Sequence, residues 1–157
     1  MYNLVKVFKL DINKLNKVAI ILNACGKDMA SKYDLHHWDN TYIKTFAIVG
    51  LCALKNDVYL LYEEDKPVAT FMTKKNGESL HFEKLGTLPS ESGKGIGSVC
   101  LGHIERIALE TNCKSVEMEV YSPSEHAISF YEHRGYKVTG MTDTLKYKEV
   151  KMEKALE

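Results

Sequence analysis

The chain has 157 residues, of which 45% are hydrophobic and 27% charged, a composition typical of one soluble globular domain. Lys plus Arg and Asp plus Glu both number 21, so the net charge of zero gives no general argument for a nucleic-acid or acidic-membrane partner. No apolar run approaches the roughly 20 residues that span a bilayer, and the first residues lack the pattern of a signal peptide. The 4 cysteines are scattered without a Cys-x-x-Cys pair, which favours buried reduced thiols in a cytoplasmic protein over a disulfide or metal site.

The first third of the chain predicts one strand and two helices. Apolar residues alternate with lysines from Tyr2 to Leu10, which is typical of a strand. Asp11 can cap a helix that runs from Ile12 to about Cys25 and ends at Gly26. A second helix is predicted from about Asn40 to Leu54. The apolar face of the first helix consists of Leu15, Val18, Ala19 and Leu22.

Three strands are predicted next, in quick succession. They run from Val58 to Glu63, from Pro67 to Lys74 and from Ser79 to Leu88. The dipeptide Asn76-Gly77 is a strong hairpin signal between the second and third of them. The sequence therefore predicts an antiparallel meander.

The meander leads into the glycine-rich stretch Ser92–Ser98, which opens a predicted helix from Gly95 to Glu110. Glycines at positions 93, 95 and 97 let the backbone approach a ligand closely. The start of the helix directs unpaired N–H groups at the loop, which favours a phosphate-type anion. A tight turn without any ligand is the alternative, and the loop alone does not decide between the two.

Two common phosphate-binding motifs do not match this loop. A P-loop needs Gly-Lys-Ser/Thr, but Gly93-Lys94 is followed by Gly95, and Leu88 stands five residues before Gly93 where a glycine is required. A dinucleotide fingerprint needs Gly-x-Gly-x-x-Gly early in a parallel βαβ unit. The glycine spacing here is different, and the preceding strands form a meander.

The second half of the chain predicts a crossover unit and a short helix. Alternating apolar residues predict a strand from Ser115 to Tyr121, parallel to Ser79–Leu88 because a helix connects the two. Ser122-Pro123-Ser124 caps a short helix from Glu125 to about His133. The inward positions of that helix are Ala127, Phe130 and Tyr131, and two last strands are predicted over Tyr136–Thr139 and Tyr147–Lys154.

Three motifs within this order carry a family resemblance. The first is Leu85-Gly86-Thr87-Leu88-Pro89 with Ser92-Gly93-Lys94-Gly95-Ile96-Gly97. The second is Ser124-x-x-Ala127-x-x-Phe130-Tyr131-Glu132-x-x-Gly135-Tyr136, and the third is the closing Met152-Glu153-Lys154. Together they resemble the GNAT superfamily of N-acetyltransferases, over about Val58 to Lys154. The first motif is similar to that family's acetyl-CoA pyrophosphate loop, and the second to the helix and strand below the cofactor.

The resemblance implies a single α/β domain over residues 1–157, with a mixed, strongly twisted and mostly antiparallel sheet flanked by helices. It implies a V-shaped opening for acetyl-CoA and direct attack of an amine on the acetyl group within a ternary complex, with no metal. The cofactor-binding residues that it indicates are Thr87, Leu88, Ser92, Gly93, Lys94, Gly95, Ile96, Gly97, Ser98, Ser124, Ala127 and Tyr131.

The chain departs from the family pattern at two positions. Ser92 stands where the family usually has Arg or Gln, and Ser124 stands where it often has Asn. Pyrophosphate contacts in such loops come mostly from backbone N–H groups, so we expect the Ser92 change to weaken cofactor contacts without abolishing them. Lys94 is the residue that could supply the missing positive charge.

The resemblance assigns catalytic roles to residues that also have plain structural readings. Tyr131 matches the family's general acid, which protonates the leaving CoA thiolate; the alternative is a packed helix tyrosine. Backbone N–H groups near Thr87 and Leu88 are candidates for polarising the thioester carbonyl, against an ordinary paired strand end. Glu83 is our preferred base for the amine, although a solvent-facing charge is the plainer reading. The other candidate bases are His81, Glu117 and Glu119.

The segment between the first two helices lines the acceptor pocket in the family. Trp38 and His37 are therefore acceptor-side candidates, with a core-anchor role for Trp38 as the alternative. Adjacent histidines in Asp34–Asp39 match no common zinc spacing, so we expect a surface or capping role there rather than a metal. The acceptor is predicted to be a small-molecule amine or a protein amino group, with no nucleic acid or membrane partner. Both a monomer and a homodimer stay open.

A non-catalytic acyl-CoA-binding or sensing module is the alternative function. Ser92 in place of Arg or Gln favours this alternative, whereas retention of Tyr131 favours the enzyme. A nucleotide-dependent phosphotransferase is disfavoured because the P-loop spacing fails.

Overall fold

The computed structural model describes residues 1–157, and its elements follow the predicted order. They are β1 (Tyr2–Val7), α1 (Ile12–Tyr33), α2 (Tyr42–Ala53), β2 (Asp57–Glu63), β3 (Lys66–Asn76), β4 (Ser79–Thr87), a 3₁₀ turn (Pro89–Glu91), α3 (Ile96–Glu110), β5 (Ser115–Tyr121), α4 (Glu125–Glu132), β6 (Lys137–Asp143) and β7 (Lys148–Ala155).

The seven strands form one sheet in the order β1-β2-β3-β4-β5-β7-β6. The pairs β1–β2, β2–β3, β5–β7 and β6–β7 are antiparallel, whereas β4 and β5 are parallel over Ser79–His81. The predicted class, a mixed and mostly antiparallel sheet flanked by helices, is confirmed. None of the helices is long and apolar enough to cross a bilayer.

The chain divides into two compact units. The first comprises Met1–Lys74 and Lys84–His103, and the second comprises Lys75–Glu83 and Ile104–Glu157. In the first unit, all four apolar residues predicted for the inner face of α1 are buried. They pack in one cluster with Val58 and Leu60 of β2 and Met72 of β3, which fixes α1 against the antiparallel strands.

The prediction that α1 ends at Gly26 is wrong, because the helix continues to Tyr33. Gly26 is buried in the middle of the helix, and a Cβ built there would overlap the carbonyl group of Trp38. The glycine therefore permits a close approach of two backbone segments rather than a left-handed turn. The actual end is Asp34, whose φ of 56° is left-handed and whose N–H donates to the Ala30 carbonyl at 3.2 Å.

Gly26→Ala is expected to lower the free energy of unfolding by about 1–3 kcal/mol, because the added methyl group must displace backbone. The matched control is Gly50→Ala in α2, where no atom lies within 4 Å of an added Cβ. That control should instead gain about 0.5–1 kcal/mol from helix propensity. Urea unfolding of both variants measures the difference, and equal stabilisation by the two would contradict the close-approach role of Gly26.

In the second unit, β5 alternates as predicted. Val116, Met118 and Val120 are buried, and the residues between them are half-buried. Tyr131 of α4 and Tyr136 beyond it are also buried. The last two strands begin within one residue of their predicted starts, but β6 runs four residues beyond the predicted end at Thr139. This longer strand pairs with β7 through Asp143↔Lys148.

Candidate functional site

The glycine-rich loop lies exposed between the 3₁₀ turn and α3. Gly93 and Gly95 have φ values of 83° and 78°, and no atom lies within 4 Å of a Cβ built at either position. Both conformations are left-handed, which explains why glycine is needed there. The outer face of the loop is therefore open, as a backbone cradle for a ligand requires.

The start of α3 supplies hydrogen-bond donors to this loop. The helix begins at Ile96, and the Val99 N–H donates to the Gly95 carbonyl at 3.2 Å, closing the first turn. The N–H groups of the first turn have no acceptor inside the helix and carry the positive end of its dipole. The loop and helix start therefore fit a bound anion of the pyrophosphate type.

Three charged side chains form a cluster beside the loop. The Glu91 side chain is 8% exposed and accepts hydrogen bonds from Lys66 and Lys94, each at 2.8 Å. These bonds lower the pKa of Glu91 to about 2, with that from Lys66 the stronger cause, and the Glu91 carboxylate raises the pKa of Lys94. Lys94 is thus paired with Glu91, and the cluster as a whole has one net positive charge.

The Glu91 cluster predicts an acid-dependent loss of stability. Folding lowers the pKa of Glu91 from 4.5 to about 2. The contribution of its ionised carboxylate to the free energy of unfolding is therefore complete above pH 4.5 and is lost as the pH falls towards 2. The free energy of unfolding of the wild type should exceed that of Glu91→Gln at pH 7, and the gap should narrow steadily below pH 4.5. Urea unfolding of both proteins between pH 7 and pH 3 measures the gap. A gap that is independent of pH would contradict an ionic role for Glu91.

The end of β4 is held by polar contacts with the rest of the first unit. The Cys25 thiol donates to the Thr87 carbonyl at 3.1 Å, and the Leu88 N–H donates to the Val68 carbonyl at 2.8 Å. Burial raises the pKa of Cys25 to about 12, so its thiol stays protonated. Since the Leu88 N–H is already bonded within the protein, its predicted part in polarising a thioester is not supported. The Thr87 N–H is the other candidate donor, and its role stays a prediction.

The pocket named here after Trp38 lies in the first unit. It is a small cleft that opens to solvent, with a cavity volume of about 30 Å³. Its apolar wall consists of Leu22, Trp38, Ile48 and Val49. Its polar residues are Asn40, Thr45 and Lys84. Trp38 therefore lines this pocket, whereas His37 is absent from its lining, and the acceptor-side role of both stays a prediction.

Hydrogen bonds between titratable side chains hold the loop around Trp38. His36 bonds to Asp34 at 2.7 Å and to Asp39 at 3.3 Å, and Lys27 also bonds to Asp39. Asp34, with Asp39, raises the pKa of His36. These contacts link the ends of the Asp34–Asp39 stretch to each other and to α1.

Tyr131 lies in an aromatic cluster of the second unit. Its side chain is largely buried, and its ring centroid is 5.9 Å from Phe82 of β4, 5.2 Å from Phe130 and 5.9 Å from Tyr136. Tilted and edge-to-face contacts of this kind fix the orientation of the ring. The cluster therefore holds Tyr131 in one position, which both a packing role and a proton-donor role require.

Ser124 precedes α4 and carries a buried polar atom without a partner. The residue is 2% exposed, and its Oγ makes no hydrogen bond. Its backbone is fully used, because the N–H donates to Tyr121 and the carbonyl accepts from Ala127 and Ile128. A buried hydroxyl left unpaired is unusual and fits a position that a bound group completes.

Four titratable side chains share one face of the second unit. His81 and Glu83 on β4 alternate with buried Leu80 and Phe82, as Glu117 and Glu119 do with buried neighbours on β5. His81 Nε2 lies 2.8 Å from Glu119 Oε1, and this bond raises the pKa of His81. His81 Nε2 is therefore already engaged by Glu119, and the choice of Glu83 as the base stays a prediction.

Two features of these sites were not predicted from the sequence. Glu91 could have been suspected from Lys94 three residues later, but Lys66 lies 25 residues away along the chain, and no local pattern links it to the loop. Lys84 has a φ of 56°, a left-handed conformation that lysine rarely adopts and that no sequence signal predicts.

Known proteins are similar to this chain both in sequence and in fold. The model of the acetyltransferase (GNAT) family matches residues 25–136. The PaiA N-acetyltransferase from Thermoplasma acidophilum, solved in complex with coenzyme A, has a TM-score of 0.74 and 18% identity over 99% of both chains. The ribosomal-protein-S18-alanine N-acetyltransferase from Escherichia coli has a TM-score of 0.71 and 15% identity, over 100% of this chain and 95% of that one.

A GNAT-family acetyltransferase from Staphylococcus aureus Mu50 also matches, with a TM-score of 0.74 and 10% identity over 100% of both chains. At these identities the solved structures establish the fold alone. The family model covers well over half of the residues, from within α1 to the residue before β6. The chain therefore belongs to the acetyltransferase (GNAT) family.

Proposed function

We propose that the protein transfers an acetyl group from acetyl-CoA to the amine of a small molecule or protein, by direct attack within a ternary complex. The observation that carries this proposal is the open loop with left-handed Gly93 and Gly95 at the start of α3, in a chain of this family. The similar Thermoplasma protein was solved with coenzyme A, which supports acetyl-CoA as the acyl donor.

The loop residues would hold the pyrophosphate mainly through backbone N–H groups. Gly93–Ser98 would provide them, because the first-turn N–H groups of α3 have no acceptor inside the helix and the backbone before it is exposed, whereas the Ser92 N–H already donates to the Pro89 carbonyl at 3.2 Å. Lys94 would add charge only in part, since Glu91 already accepts a hydrogen bond from it. Ser124, with its unpartnered hydroxyl, and the neighbouring Ala127 complete the proposed cofactor-binding set.

Acetyl-CoA, when bound, supplies the acetyl group as a reactive thioester. The Thr87 N–H is the proposed donor to the carbonyl oxygen as negative charge grows on it. Glu83 is the proposed base that removes a proton from the acceptor's ammonium group, directly or through water, so that the neutral amine can attack the thioester carbon. Tyr131 is the proposed acid that returns a proton to the sulfur of the departing thiolate.

The acyl-CoA-binding module stays the second candidate function. Ser92 lacks the charge usual at its position, and Lys94 is paired with Glu91, so the loop has less free positive charge than the family pattern provides. The module would bind acetyl-CoA without transferring the acetyl group.

An amine panel screen separates the two functions. Purified protein is mixed with acetyl-CoA and amines of several classes, and free CoA thiol is followed with a thiol reagent while acetyl-CoA binding is measured by calorimetry. Amine-dependent thiol release is expected. Binding without thiol release would establish the module, and the absence of both would overturn both functions. A rise in melting temperature with ATP but not with CoA would likewise overturn both functions.

A further inference from the structure

The Trp38 pocket carries one positive charge and no negative charge. Lys84 is the sole ionisable residue among those that line it. Its Nζ lies 5.7 Å from the centroid of the Trp38 ring and forms no salt bridge. An ammonium group held over an aromatic face keeps hydrogen-bond donors available for an anion. The pocket is therefore electrostatically suited to an anionic group and unsuited to an additional cation.

The backbone of Lys84 gives an independent reason to assign it a function. Its φ of 56° lies in the left-handed region, which glycine or asparagine would adopt at less cost. Strained residues that are kept despite this cost are concentrated at functional sites. The strain and the uncompensated charge therefore coincide at one pocket residue.

The remaining lining selects for apolar shape. Leu22, Ile48 and Val49 supply aliphatic surface beside the Trp38 ring. Thr45 lies in the pocket too, but its hydroxyl already donates to the Thr41 carbonyl at 3.0 Å. The side-chain donors left for a ligand are the Lys84 ammonium and the Asn40 amide, set against an apolar wall.

Building on the acetyltransferase function proposed above, we propose that the Trp38 pocket binds acceptors that combine a carboxylate with an apolar side group. The acceptor class is then the free apolar α-amino acid, of which leucine is a representative. Lys84 pairs with the carboxylate, and the aliphatic wall contacts the side chain. A polyamine would bring further cations towards Lys84, and a peptide amino terminus has an amide where the carboxylate is needed.

The first test compares leucine with leucinamide, which lacks the carboxylate charge, in the wild type and in Lys84→Gln. One charge-assisted hydrogen bond corresponds to roughly 10- to 100-fold in kcat/KM. Lys84→Gln should lower kcat/KM for leucine by about that factor and leave leucinamide nearly unchanged. Leucine and leucinamide differ in the basicity of their amines, but this difference is the same for both proteins. It therefore cancels when the leucine-to-leucinamide ratio of kcat/KM in Lys84→Gln is compared with that ratio in the wild type. Lys84→Arg should restore much of the preference for leucine.

Two controls separate charge recognition from a general effect. Lys84→Gln and Lys84→Arg both keep a Cβ at the left-handed position, so their backbone cost is that of the wild type; urea unfolding checks this. Lys55→Gln removes the same charge from an exposed position of the first unit outside the pocket and should leave kcat/KM for leucine unchanged.

The second test needs no turnover. Trp38 is the single tryptophan of the chain, so its fluorescence reports directly on the pocket. Titration with leucine or N-acetylleucine should change the emission of the wild type, with an apparent Kd roughly 10-fold or more weaker in Lys84→Gln. Titration with spermidine should cause no comparable change.

The outcomes distinguish this inference from the function on which it rests. Thiol release with spermidine or leucinamide but not with leucine would overturn the acceptor class and leave the acetyltransferase function intact. Equal loss of leucine and leucinamide turnover in Lys84→Gln would also overturn the acceptor class. If none of the amines caused thiol release, the acetyltransferase function itself would be overturned.

Discussion

Replacing Tyr131 with phenylalanine is expected to lower kcat by about 10²- to 10⁴-fold, the usual contribution of a positioned general acid. The substitution removes one oxygen and keeps the ring, so the contacts with Phe82, Phe130 and Tyr136 should persist. Affinity for acetyl-CoA should therefore fall far less than turnover. Steady-state kinetics and calorimetric titration with acetyl-CoA measure the two effects separately.

Tyr136→Phe is the matched control for Tyr131→Phe. Tyr136 is buried in the same aromatic cluster, but its hydroxyl donates to Glu105 at 2.9 Å. Burial, with Glu105 beside it, raises the pKa of Tyr136, which keeps that hydroxyl protonated. Losing the bond should cost about 1.5–3 kcal/mol of stability and leave kcat near the wild-type value.

The pair of tyrosine variants decides between a chemical and a packing role. If Tyr131→Phe lowered acetyl-CoA affinity as much as turnover, or changed neither, Tyr131 would not be the acid. A loss of stability without a loss of kcat would show that the hydroxyl serves the fold. Only a loss of kcat confined to Tyr131→Phe supports the proposed proton transfer.

Local patterns were sufficient to predict most of the fold. The alternation in β5 and the four apolar residues of α1 identified the buried faces, and the crossover through α3 gave the parallel β4–β5 pair. Such patterns succeed because burial selects residues at the repeat of the element itself. Gly26 misled the prediction, since its role depends on Trp38, which lies outside the helix.

The candidate sites were less predictable because their details depend on contacts that no short stretch encodes. The pairing of Lys94 with Glu91, and of both with Lys66, changes the charge available to the loop. The bond from the Leu88 N–H to Val68 uses a donor that the sequence left open. Motif residues can thus be found from the sequence, whereas their free hydrogen-bonding groups and net charge follow only from the fold.

The glycine loop presents the remaining choice, between a ligand cradle and an ordinary turn, and one pair of variants can settle it. Gly95 and Gly77 both have left-handed φ values, 78° and 64°, and neither has an atom within 4 Å of an added Cβ. Gly77 lies in the turn between β3 and β4. Gly95→Ala and Gly77→Ala should therefore carry a similar backbone cost, about 1 kcal/mol in unfolding free energy.

Only Gly95→Ala is expected to weaken acetyl-CoA binding, and strongly. The added methyl group lies in the open space that a pyrophosphate would occupy, and relief of the strain would redirect the N–H groups at the start of α3. Loss of two charge-assisted hydrogen bonds amounts to about 3 kcal/mol or more, a weakening of Kd of at least roughly 100-fold. Calorimetric titration gives Kd for both variants, and urea unfolding gives their stabilities. If Gly95→Ala bound acetyl-CoA as tightly as Gly77→Ala at equal stability, the loop would be a turn and the cofactor would have to bind elsewhere.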